Sequence, residues 1–130
     1  GSKAEKSLRD DLVGAGYDVV LHKKDLISGN YEIDLFLPGL KTIIEIDGPQ
    51  HFMPVFGEKQ LRDTTKFDSI KNGLLISKGY CVIRIKYTCS HMSQSVGRRL
   101  WKMVSGEIEK IEKKFPPKHK RFIELEIDNG

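Results

Sequence analysis

Residues 31–52, YEIDLFLPGLKTIIEIDGPQHF, decide how the rest of the chain is read. Residues 31–37 alternate, Pro38-Gly39-Leu40-Lys41 reads as a turn, and a β-branched run follows from Thr42 into Ile46. The spacing predicts a β-hairpin. With the turn centred between Gly39 and Leu40, Asp34 falls opposite Glu45 and Glu32 opposite Asp47. Side chains alternate across a strand, so all four carboxylates share one face, and Ile33, Leu35, Leu37, Ile44 and Ile46 take the other. Like charges opposed on a sheet repel, with Cβ atoms roughly 5 Å apart, so a compensating charge is needed. A hard divalent cation such as Mg2+ meets that need: it takes oxygens from one or two carboxylates and keeps positions for water and phosphate. The plainer alternative, an exposed polar face, predicts carboxylates mixed with Lys and Thr. Here the run into Asp47-Gly48 is acidic between apolar neighbours.

Before the hairpin, residues 3–13 read as a helix with Leu8, Leu12 and Val13 on one face, ended by Gly14 and Gly16. Glu5 sits at the end of that buried stripe. Taken on its residues alone it is a surface acid near a helix N-terminus, where the macrodipole favours it. Residues 17–21 form a short strand with Val19 and Leu21 toward the core, giving at least three antiparallel strands. His51, four residues beyond Asp47 across the Gly48-Pro49 bend, can fold back over the acidic face. Its near-neutral pKa suits proton transfer at a phosphodiester oxygen.

After a loop with Pro54 and Gly57, residues 61–78 read as a helix with Phe67, Ile70, Leu74 and Leu75 inward, and Asp63, Lys66 and Lys71 on other faces. YCVIRIKY, residues 80–87, is strongly β-prone, with Cys81, Ile83 and Ile85 on one side and Val82, Arg84 and Lys86 on the other. Coming after strand and helix, it is expected as a crossover strand parallel to the second hairpin strand. Residues 93–115 form a long amphipathic helix through Val96, Leu100, Met103 or Val104, Ile108 and Ile111, with a break expected at Gly97 or Gly106. Residues 122–127 alternate as a further strand candidate.

The fold expected is α/β: a central mixed sheet of about four strands flanked by helices. Residues 1–115 make one domain and residues 116–130 a basic C-terminal extension with an extra strand. Gly1-Ser2 without an initiator Met reads as a cleavage scar, so further domains, a DNA-binding one among them, are expected outside this chain. The 22 Lys and Arg against 18 Asp and Glu leave a net charge of +4, which suggests a polyanionic partner. The surplus is concentrated in Lys110, Lys113, Lys114, Lys118, Lys120 and Arg121, against the single acid Glu112. Cys81 and Cys89 fit no zinc spacing and read as reduced thiols. No apolar run approaches the roughly 18 residues of a membrane span. An intracellular protein is expected.

Taken together, Glu5, EIDLFLP around Asp34, IIEIDG around Glu45 and Asp47, His51, a helix with Asp63 and Asp68, and KGYCVIRI resemble the PD-(D/E)XK nuclease superfamily. Within it they look most like the branch of the very-short-patch repair (Vsr) endonuclease and the EDxHD homing endonucleases. The resemblance covers about two thirds of the chain. The superfamily's E-x-K lysine is replaced by Asp47, and Vsr's zinc cysteines have no match. The resemblance implies hydrolysis of double-stranded DNA with Mg2+ or Mn2+, and two copies where both strands are cut. It implies Asp34 as central metal ligand, Glu45 or the Ile46 carbonyl beside it, and Asp47 on a metal water or second ion. His51 would be general base or acid, Glu5 a direct or water-mediated metal contact, and Asp63 or Asp68 the last acid of the motif. Lys66, Lys71, Lys118, Lys120 and Arg121 would clamp phosphates. DGPQHF with the following helix and strand also resembles the RAP domain, an RNA-associated module, which gives a binding reading without catalysis. A third reading is a domain whose acidic face meets a basic protein.

Overall fold

The computed structural model describes residues 2–129. The chain runs α1 (Lys3–Gly14), β1 (Val20–Lys23), β2 (Ile33–Leu37), β3 (Thr42–Asp47), α2 (Glu58–Ser77), β4 (Cys81–Tyr87), α3 (Gln94–Lys113) and β5 (Phe122–Ile127). Short 3-10 turns fill three of the connections, at Pro38–Leu40, Pro49–His51 and Lys118–Lys120. The strands form one mixed sheet in chain order, antiparallel from β1 to β3 and parallel from β3 to β5. It has five strands, not about four. The C-terminal segment supplies the fifth, with Phe122 beside Val82 and Ile127 beside Tyr87.

The hairpin takes the register read from its turn: Leu35 pairs with Ile44 and Leu37 with Thr42. Lys41 accepts the left-handed φ of 48° that closes the turn. One face of the sheet, carrying Leu35, Ile44, Cys81, Ile83 and Ile85, is covered by α1 and α3. The other, carrying Phe36, Ile43 and Val82, is covered by α2 through Leu75. Ile33 was expected with Leu35 but packs in this second cluster, at the start of β2. With α2 and α3 on opposite faces of strands that advance in one direction, the β3–α2–β4 and β4–α3–β5 crossovers have opposite hands. One of them therefore has the rarer left-handed sense.

Ser2 caps α1 by accepting the Glu5 N–H at 3.1 Å, and the helix buries Ala4, Leu8 and Leu12. Val13 is exposed, because one residue past Leu12 turns it off the stripe. In α3, Ser93 accepts the Val96 N–H, and Val96, Leu100, Val104, Ile108 and Ile111 are buried. The expected break at Gly97 or Gly106 is absent. Five buried apolar side chains contribute roughly 1.5–3 kcal/mol each, which outweighs about 1 kcal/mol for each helical glycine.

The largest departure is in α2. Phe67, Ile70 and Leu74, expected inward, are 49, 45 and 41% exposed. The side turned to the sheet is Leu61, Thr64, Asp68, Lys71 and Leu75, at steps of three and four residues. Phe67 packs instead on Tyr31, with ring centroids 5.0 Å apart. Apolar content did not choose the inner face because half of what α2 covers is not core.

Candidate metal centre

What the first half of α2 covers is a cavity of about 500 Å3, walled by Asp34 and Glu45 from the hairpin, by Asp47, and by His51, Asp68 and Lys71. The β2–β3 pairing ends at Leu35–Ile44. Beyond it the Asp34 carboxylate takes the place of a backbone acceptor, receiving the Ile46 N–H at 3.0 Å. That substitution turns Asp34 toward β3, and Asp34, Glu45 and Asp47 each bring a ligand oxygen within 4.8 Å of the others. Asp47, His51 and Asp68 form a second such group that shares Asp47. Glu32 does not join them. It lies before β2, half-exposed, and pairs with His22 at 2.7 Å, so the face carries three carboxylates of the expected four.

Glu45 is 5% exposed. Burial, then the Asp34 charge, pushes its pKa up to about 9 against the pull of Lys71. The Lys71 ammonium lies 2.5 Å from Glu45 Oε1 but off the line of a hydrogen bond; it donates to the Glu32 carbonyl at 2.8 Å. The close ion pair and the raised pKa point opposite ways. Burial and the Asp34 charge together outweigh one ammonium that is already directed at a carbonyl. Glu5 reaches the cavity from α1 with a side chain 13% exposed, where its residues alone favoured a surface position. Burial and Asp34 raise its pKa. Its buried Oε2 makes no hydrogen bond, though His22 Nε2 is 3.4 Å away.

Burial also raises Asp47, countered by His51 and by Arg84, whose Nε donates to Asp47 Oδ2 at 2.7 Å. His51 Nδ1 lies 2.8 Å from Asp68 Oδ2 and 4.0 Å from Asp47 Oδ1. The Asp68 hydrogen bond is the main cause that raises the His51 pKa. With Nδ1–H donated to Asp68, Nε2 is the ring atom left for a substrate.

Of Asp63 and Asp68, Asp68 is the one paired with His51 in the cavity. Asp63 stands at the rim, its side chain 62% exposed and paired with Lys59 at 3.1 Å. Lys71, expected on an outer face, is turned inward. Lys66 is exposed on α2, and Lys118 and Lys120 are exposed before β5, at the far end of the parallel ladder from Asp47. Arg121 is occupied: its guanidinium lies 4.9 Å from the Phe115 ring centroid and its Nε donates to the Pro116 carbonyl.

Arg84 was expected only to share a side of its strand with Val82 and Lys86. It joins Asp47, Glu124 at 3.1 Å and the His51 carbonyl at 3.3 Å, tying β5 and the His51 turn to the acids. The signal was its place beside Glu45 in the parallel register. Lys71 was findable from its position three residues after Asp68 and four before Leu75.

No family model matches the chain, and no solved structure matches it. An uncharacterized protein of Haemophilus influenzae (strain ATCC 51907 / DSM 11121 / KW20 / Rd) is 34% identical over 76 residues, 58% of this chain. The chain spans about half of that relative, 52% of its length. Among the described residues no helix is long and apolar enough to cross a membrane.

Proposed function

We propose that the chain is a divalent-metal-dependent endodeoxyribonuclease with the PD-(D/E)XK arrangement, in the branch of Vsr and the EDxHD homing endonucleases, acting inside the cell on double-stranded DNA. The observation that carries this reading is the convergence of Asp34, Glu45 and Asp47 within 4.8 Å beside a His51–Asp68 pair. The donor set fits Mg2+ or Mn2+: its nearest groups are carboxylate oxygens, which hard cations prefer. Glu45 Oε1 is buried without a hydrogen bond. Asp34 and Glu45 would hold the ion, with Asp47 beside them and Glu5 at the edge.

A bound Mg2+ supplies charge neutralisation at the phosphate and lowers the pKa of its water. The chain's own residues do the rest. His51, oriented by Asp68, presents Nε2 to the reacting phosphodiester and takes or gives the proton. Arg84 holds Asp47 and the His51 carbonyl in place. Lys66, Lys118 and Lys120 are exposed cations for a phosphate backbone, and their contacts weaken with salt. Cutting both strands calls for two copies.

Plasmid cleavage with Mg2+, Mn2+ and EDTA tests the reading. Cleavage with either ion, lost in EDTA and in Asp34→Ala and His51→Ala, supports it; full activity in the Asp34 variant ends the metal assignment. A second reading, a nucleic-acid-binding module resembling the RAP domain, is favoured by the pairing of Glu45 with Lys71 and Asp47 with Arg84. Acids compensated internally need no ion. Nucleic acid bound without cleavage under all three conditions decides for it.

A further inference from the structure

A second cavity, of about 450 Å3, adjoins the acidic one on the same face of the sheet, between α2 and the β4–β5 edge. The two share His51, Asp68, Asn72 and Arg84 as a common wall. Apolar groups dominate the rest: Phe52 after the His51 turn, Leu61 and Ile76 from α2, and Phe122 from β5. The volume falls in the range of small-molecule sites, roughly 300–1,000 Å3, and the Thr65 and Ser69 hydroxyls complete the wall.

We infer that this cavity holds one unstacked nucleobase of the strand whose phosphate lies against His51 and the acids. The inference rests on the nucleic-acid reading above and deepens it by naming what is read next to the phosphate. Three observations carry it. The shared wall puts the cavity one side chain away from the reacting phosphate, where the attached nucleoside has to go. Two aromatic rings, Phe52 and Phe122, stand among its walls, and an aromatic face stacks with any base. Lys86 and Arg84 lie 5.4 and 6.0 Å from the Phe52 centroid and hold that ring beside the phosphate path.

The third observation is Asn72. It is half-buried on the common wall, and its side-chain amide has no hydrogen-bond partner among the described residues. An amide offers a donor and an acceptor side by side, which is what a base edge requires. Flipped bases are held in this way, by edge hydrogen bonds between aromatic or apolar walls.

The test is an NMR titration of the full chain with Ca2+ present, following the Asn72 side-chain amide, the Ile76 methyls and the His51 ring. The probes are the four deoxynucleoside 5′-monophosphates and deoxyribose 5-phosphate. The nucleotides are expected to shift all three groups, with one base bound about ten-fold more tightly than the weakest. The sugar phosphate should move His51 alone. Ile76→Trp, which fills the cavity, should abolish the base-dependent shifts and keep the His51 response. Asn72→Leu should remove the preference among bases.

Equal affinity and identical shifts for base-bearing and base-free phosphates overturn the inference, as does an unchanged base preference in Ile76→Trp. Cleavage by the wild-type chain together with that result leaves the nuclease reading standing and removes the base pocket. Base-dependent shifts without cleavage do the reverse. Silence of all three groups toward every probe removes the base pocket and leaves the nuclease reading to the plasmid assay.

Discussion

Raising the pH from 7 to 9 is expected to strengthen divalent-cation binding on the order of 100-fold. Glu45 is the group responsible. Its carboxyl is nearly sealed from solvent, and burial first, then Asp34, moves its pKa from an ordinary 4.5 to about 9 despite Lys71. At neutral pH the folded protein therefore keeps that carboxyl protonated, and a cation ligated by Glu45 has to expel the proton. Each pH unit below the pKa weakens binding by about 1.36 kcal/mol, a factor of ten, so two units give about 2.7 kcal/mol. Calorimetric titration of Mg2+ and Mn2+ in buffers of differing ionisation heat reads affinity and proton release together. Near pH 7, about one proton should leave per ion bound. An affinity that stays flat from pH 6.5 to 9, with no proton released, would refute the argument and make Glu45 an ionised partner of Lys71. The stability of the metal-free protein runs the other way. Between about 4.5 and 9 the folded state holds a proton that the unfolded state has lost, so this group's contribution falls as pH rises through that window.

Asp68→Asn is expected to lower the His51 pKa, because the Asp68 hydrogen bond is the largest cause raising it; an NMR titration of the ring that does not move would remove Asp68 as the orienting acid. In the wild type, His51 stabilises the fold below its ordinary pKa, and that share is lost as pH climbs through the raised value. Arg84→Met strands Asp47 in a buried place, and urea unfolding near pH 7 should report a loss of about 3–5 kcal/mol. The loss should shrink in acid, where Asp47 protonates; an equal loss at both pH values would mean that lost packing, not charge, is responsible. Leu75→Ala should cost about 2–5 kcal/mol as a core cavity, while Phe67→Ala should cost far less because its ring is half-exposed. The reverse order would show α2 to be rotated from the orientation described.

Much of the fold was legible because it is local. The turn residues Pro38–Lys41 set the hairpin register, and alternation along residues 81–86 sorted Cys81, Ile83 and Ile85 from Val82, Arg84 and Lys86 as found. The 3.6-residue stripe of α3 was read correctly because that helix lies on an all-apolar face. The same reasoning failed for α2, where Phe67, Ile70 and Leu74 are as regularly spaced as a core stripe. That helix spans a boundary between core and acidic cavity: Lys71 is turned inward by Glu45 and Asp68 by His51, while three apolar side chains half-bury elsewhere.

For the site, strand period and turn length placed Asp34, Glu45 and Asp47 on one face of neighbouring strands before anything folds around them, but they also placed Glu32 there, which lies before β2 and pairs with His22. The sequence alone could not determine the carboxylates' protonation, their cations or their last partner. Asp68 over Asp63, Lys71 against Glu45, and Arg84 linking Asp47 to Glu124 all join residues from distant parts of the chain. Those pairings depend on how α2 is rotated and which strand lies beside β3, and on the low dielectric that burial creates around Glu45. They exist only once the layers have packed.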